Sequence, residues 1–246
     1  MSNPSIIGLI RNEVLKIHRK RRLLVVSTIL VVLVSMFTYA NYRQIEKQRE
    51  EQGTIDWRVD LQQEIIDTQN RLASANVQDE FRQILEFRVQ QNQYYLDNDI
   101  NPSYPGAPTF MRVFFSQGTT LVLPLFIIVL MADIVSGEHN DGTIKTLLSR
   151  PVRRFKILLA KWMTTLLYTS LLIFITALVS YAISGIVLGW DGWTAPILTG
   201  FQASPTGTFS TDFVHTLPMW QYLLMSVGLA WFVVAAVGTI ALMVSV

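Results

Sequence analysis

Four runs of residues without a single charge, 23–40, 113–132, 162–190 and 220–246, set the terms for any fold this chain adopts. The first, LLVVSTILVVLVSMFTYA, is eighteen residues long. At the rise of a helix it makes about 27 Å, against a bilayer hydrocarbon core of about 30 Å. The second contains one helix-disturbing residue, Pro124, which a membrane helix tolerates when neighbouring helices satisfy the freed carbonyl. The third has twenty-nine residues, enough to tilt or to run on into the interface. Half of the chain is hydrophobic and 15% is charged, where soluble domains carry about 25%; one aqueous core cannot bury such a balance. The expectation is an all-α integral membrane protein with at least four transmembrane helices, at 23–40, 113–135, 162–189 and 220–246.

Lys and Arg near span ends are held in the cytoplasm, and here they fall one-sidedly. Residues 1–22 carry six of them against one acid, Glu13, and 136–161 carries six against Glu138 and Asp141. The segment 41–112 has eight basic and twelve acidic residues, and 190–219 has no Lys or Arg. The first pair therefore reads as inside and the second as outside, an alternation that four spans require. Thr38, Tyr39 and Ala40 loosely resemble a signal-cleavage site, but a twenty-two-residue leader and an eighteen-residue apolar run are both too long for a signal peptide. The lack of cysteine excludes disulfides and thiolate metal sites.

The flanking segments are also patterned. In 1–22, Ile6, Ile7, Ile10, Val14 and Ile17 recur at helical spacing, which predicts an amphipathic helix lying on the cytoplasmic membrane surface or against a partner. In 41–112, Leu61, Ile65 and Leu72, then Val77, Phe81, Ile84, Leu85 and Val89, predict two or three helices broken near Gly53 and 73–76, a helical insertion outside the membrane. The loop 190–219 is rich in Gly, Pro, Thr and aromatics; Trp190, Trp193 and Trp220 suit the membrane interface.

The segment 136–161, SGEHNDGTIKTLLSRPVRRFKILLAK, reads as a structured elbow. Gly137, Asn140 and Gly142 permit a tight reversal, 143–149 can form a short helix, and Pro151 ends it before a helix beginning near Arg154. A short helix between two spans is a natural docking surface. Here the chain resembles the type 2 family of ATP-binding-cassette exporter permeases, in which the second span is followed by an acid, Gly-Thr, a leucine pair and Pro-Val-x-Arg. The matching residues are Glu138, Gly142, Thr143, Leu147, Leu148, Pro151, Val152 and Arg154, with Lys161 opening the next span. The resemblance implies a permease subunit that forms a translocation pathway, pairs with a second permease copy or homologue, and is coupled through this loop, Arg150 included, to separate ATPase subunits in a bacterial plasma membrane. Such permeases usually have six spans; the sequence ends after four, which leaves either two further spans beyond Val246 or a four-span variant.

Other chemistry finds little footing. The chain has no Gly-x-x-x-x-Gly-Lys-Ser/Thr phosphate loop, so ATP hydrolysis is expected in a partner chain and no cofactor is expected here. Gly-x-Ser-x-Gly and His-Glu-x-x-His are absent too, and the chain does not read as an enzyme. Glu138, His139 and Asp141 are adjacent rather than spaced to converge on a metal, and His18 and His215 are remote. Asp133 is an acid at the inner end of an apolar run, a position where interface anchoring competes with an intramembrane role. Arg150, Arg153, Arg154 and Lys156 fit a topology determinant or a membrane-lipid contact rather than nucleic acid. The competing function, from another class, is a membrane sensor or immunity protein that binds a ligand through 41–112.

Overall fold

The computed structural model describes residues 6–19, 21–52, 56–73, 78–102, 104–131, 154–203, 209–210 and 213–244. These residues form helices α1 (Ile6–Arg19), α2 (Arg22–Gln52), α3 (Trp57–Ala73), α4 (Asp79–Asp97), α5 (Ala107–Gly118), α6 (Val122–Met131) and α7 (Arg154–Leu188). Strands β1 (Pro196–Thr199), β2 (Gln202–Ala203), β3 (Phe209–Ser210) and β4 (His215–Pro218) follow, then helix α8 (Met219–Val244).

Among the described residues, three helices are long and apolar enough to cross a membrane: Arg22–Lys47 within α2, Phe155–Leu188 within α7, and α8. A fourth arises if α5 and α6 are taken together, and these are bent by 62° at their break. The apolar run from 113 predicts one unbroken helix, so the bend is a departure with a local cause. The Pro124 ring would collide with the carbonyl four residues back, that of Thr120, if the helix ran straight through. Instead Thr120 N–H donates to Gln117 O at 3.3 Å, a tightened last turn. Pro124 then lies in the first turn of α6, where its missing N–H is no loss.

The chain divides into two compact units. The first comprises the described residues of Met1–Thr38, Phe110–Ser184 and Leu224–Val246. Within it the bent pair α5 and α6 passes α2 in the opposite chain direction. Phe37 meets Phe114 edge to face at 6.2 Å, and Arg22 Nη1 donates to Val129 O at 3.3 Å. These two contacts lie fifteen residues apart on α2, about 22 Å along its axis. Helices α7 and α8 are antiparallel: Trp162 Nε1 donates to Thr239 Oγ1 at 3.2 Å and Trp231 Nε1 to Ser170 Oγ at 2.9 Å. Their close approach needs Gly238, where a Cβ would stand 3.0 Å from Thr165 Cγ2 and 3.1 Å from Ile127 Cγ1. Val26, Leu30, Val34, Leu123, Ile127 and Val234 are buried, while Leu24, Val32, Phe174, Leu229 and Phe232 face outward, the arrangement of helices solvated by lipid.

The second unit comprises the described residues of Tyr39–Thr109 and Gly185–Leu223. Helices α3 and α4 form a hairpin whose open end is closed by Arg58 Nε donating to Asp99 Oδ1 at 3.0 Å. Asp56 caps α3 by accepting from Arg58 N–H at 3.1 Å. The hydrogen bond with Asp99, working against desolvation, raises the Arg58 pKa above its ordinary value. Leu61 and Tyr95 share their core with Leu198 of β1, and Trp57, Tyr94, Phe201 and Val214 pack against it.

The described residues are mostly helical, in keeping with the all-α expectation, and two short strand pairs add to it. β1 pairs antiparallel with β4, from Pro196 opposite Pro218 to Thr199 opposite His215, and β2 pairs with β3. The β1–β4 pairing is sustained by packing rather than by strand length: Ile197 and Leu198 are both buried, and Phe201 meets Phe87 and Tyr94 edge to face at 5.9 and 5.7 Å. Gly200 makes the return possible. Its φ is +94°, and a Cβ there would stand 2.1 Å from Phe213 O.

Candidate functional site

The amphipathic pattern of α1 contains an acid on its apolar stripe. Ile10, Glu13 and Ile17 are spaced three and four apart, so they share one helix face. Glu13 and Ile17 are buried, whereas Ile7 and Leu15 are exposed. The buried face differs in this from the one the isoleucine spacing predicts, because the carboxylate is drawn inward by basic partners. Lys16 Nζ donates to Glu13 Oε1 at 2.9 Å, and Lys161 Nζ of α7 lies 3.7 Å from Glu13 Oε2. The side chains of Glu13 and Lys161 are 7% and 5% exposed, so this is an interior pair rather than a solvated one. Two turns further along α7, Tyr168 Oη donates to Val14 O at 3.3 Å. Two contacts thus hold α1 against α7.

That junction lies at the root of the elbow segment. Arg154 is the first residue of α7, as the proline-arrested pattern predicts, and Lys161 sits two turns further into the same helix. Lys161 therefore lies inside a continuous helix, as a helix starting near Arg154 implies. Asp133, Glu138, Gly142, Thr143, Leu147, Leu148, Arg150 and Pro151 lie outside the described residues. The signal for the Glu13–Lys161 pair was present in the sequence. An isolated acid on an apolar stripe and an isolated lysine at the mouth of a charge-free run are each costly when buried alone and complementary when buried together.

Beyond Lys161, α7 turns a row of hydroxyls inward. Thr164, Thr165, Thr169, Thr176, Ser180 and Ser184 are fully buried. Thr164, Thr165, Thr176 and Ser184 donate to the carbonyl one turn back, at 2.8, 3.1, 2.8 and 2.5 Å, which lets a hydroxyl lie in an apolar bundle. Among the described residues, Thr169 Oγ1 and Ser180 Oγ have no partner. No group of three or more metal-ligating side chains occurs among the described residues.

Comparison with known proteins places this arrangement in a family. The profile of the ABC-2 family transporter proteins matches residues 7–246. The chain is also similar to an uncharacterized protein of Bacillus subtilis (strain 168), YhcI, at 30% identity over 191 residues, which is 77% of this chain and 58% of that protein. The chain thus spans less than two thirds of that relative's length. No solved structure matches it. With apolar helices of spanning length and a transporter-family match from α1 to the end of α8, the chain belongs to the ABC-2 family of transporter proteins.

Proposed function

We propose that the chain is the membrane permease subunit of an ATP-driven exporter in a bacterial plasma membrane, with its N-terminus and 136–153 in the cytoplasm and ATP hydrolysis supplied by a separate chain. The single observation that carries this reading is the transporter-family match over 7–246. It favours transport over ligand sensing by 41–112. The passage of α5 and α6 past α2 in the opposite chain direction, from Phe114 at Phe37 to Val129 at Arg22, supports counting the bent pair as one span. With four crossings, 41–112 and 190–219 lie outside, in keeping with their charge.

In this reading 136–153 docks on the ATPase, and the Glu13–Lys161 pair passes its motion to the bundle. Glu138, Gly142, Thr143, Leu147, Leu148, Arg150, Pro151 and Arg154 are the coupling residues, and a second permease copy or homologue completes the pathway. Asp133 remains a candidate acid at the inner end of the span. Affinity purification of the tagged chain in mild detergent tests the proposal. Recovery of a stoichiometric ATPase bearing a phosphate loop is expected; recovery of the inserted chain without any ATPase contradicts it.

A further inference from the structure

Beside the turn joining α1 to α2 lies an open recess of about 580 Å³ lined by Arg19, Arg21, Leu23, Leu24 and Ser27. Its volume is in the range of small-ligand sites. Arg21 adopts φ +51°, the left-handed conformation that lets the chain leave α1 and enter α2 within two residues. Arg19 and Arg21 line one recess as a result. Among the described residues, no ion-pair partner of Arg19 or Arg21 occurs within salt-bridge distance. Leu23 and Leu24 line the same recess, and the apolar surface does not end there. Leu24, Val25, Ile29, Val32 and Met36 are between 45% and 64% exposed along α2, so an apolar surface continues from the recess down the helix.

A cationic recess that opens onto a lipid-facing helix fits a ligand with a phosphate at one end and hydrocarbon at the other. We propose that this elbow binds an anionic phospholipid, with the phosphate held by Arg19 and Arg21, a headgroup oxygen within reach of the Ser27 hydroxyl, and an acyl chain lying on Leu24 and the exposed face of α2. Arginine suits the phosphate because its planar fork of donors can bond two oxygens at once. A free phosphate uses the same guanidiniums but has nothing to place against the leucines. The proposal rests on reading 23–40 as a membrane span. Its function would be to pin the end of α1, and with it Glu13, at the membrane surface.

The test is lipid binding to the full chain in mild detergent, by native mass spectrometry with phosphatidylglycerol, phosphatidylcholine and inorganic phosphate. Phosphatidylglycerol is expected to bind most tightly, and Arg19→Gln with Arg21→Gln to weaken it by roughly 30-fold, while Arg43→Gln leaves it unchanged. Equal binding of phosphatidylcholine, equal binding by the double variant, or displacement by millimolar phosphate overturns the proposal. A photoactivatable phosphatidylglycerol added to the unaltered chain gives a second measurement that no folding defect can confuse. Labelling within 19–27 is expected, and labelling confined to other segments overturns it. Carbonate-resistant association of the chain with the membranes from which it is prepared, before detergent is added, reports separately on the span reading.

Discussion

The carboxylate of Glu13 lies between two ammonium groups, 2.9 Å from Lys16 and 3.7 Å from Lys161, and it joins α1 to the root of α7. Its burial makes the pair sensitive to removal of one member. Removing one member of a buried ion pair costs about 3–5 kcal/mol, whereas replacing both members is far milder. Glu13→Gln is therefore expected to lower stability in detergent by roughly 3 kcal/mol. Combining it with Lys161→Met should recover much of that loss. Thermal unfolding of the single and double variants checks this; strictly additive losses would contradict the pairing.

Thr169 and Ser180 lead to the opposite expectation. Each buries a hydroxyl that has no partner among the described residues, and such a group carries a desolvation penalty of about 1–3 kcal/mol. Thr169→Val keeps the shape and removes the hydroxyl. It should raise stability by roughly 1 kcal/mol, measured as an upward shift in the unfolding midpoint. If the hydroxyl serves the passage of cargo, the same variant loses transport while gaining stability.

Two glycines are expected to be intolerant for different reasons. At Gly200 the backbone conformation and Phe213 O both exclude a side chain, so Gly200→Ala should destabilise the β1–β4 hairpin by about 1–3 kcal/mol. At Gly238 the obstacle is packing alone, because the backbone is helical. Gly238→Ala asks Thr165 and Ile127 to move by a few tenths of an ångström and should be mild, whereas Gly238→Leu overpacks the contact by roughly 1–3 kcal/mol or more. Protease resistance of the purified variants, compared with the parent, reads both effects.

The chain has no cysteine, which gives a clean background for topology. Single cysteines at Ser149 and at Asn70 should behave oppositely towards a membrane-impermeant maleimide in intact cells: Asn70→Cys labelled, Ser149→Cys protected until the membrane is opened. A cysteine at Thr206 should be labelled as well. If α5 and α6 entered and left on one side, Ser149→Cys would be labelled and Thr206→Cys protected.

The three helices of spanning length and the hairpin of α3 and α4 were legible because their signals are local: charge-free length in the first case, apolar spacing around Leu61 and Ile65 in the second. The break at Thr119–Leu121 was not, since neither charge nor composition changes there. Pro124 announced a disturbance, but its effect falls four residues earlier, on the carbonyl of Thr120. The strands were hidden for another reason. β1 and β4 are four residues each and are held by a core shared with Leu61 and Tyr95, residues about a hundred or more positions away that no local window can see. Glu13 was visible as an acid in a basic segment, yet its importance depends on Lys161, and only the folded chain brings the two together.

The central claim is that 136–153 couples this chain to an ATPase. Its most direct measurement is the amount of ATPase retained by the purified chain and by a Glu138→Ala, Gly142→Val, Thr143→Ala variant, at equal membrane insertion. The account predicts a stoichiometric ATPase on the parent and loss of most of it, or of the nucleotide-dependent activity it supports, in the variant. Undiminished retention and activity in the variant would contradict it.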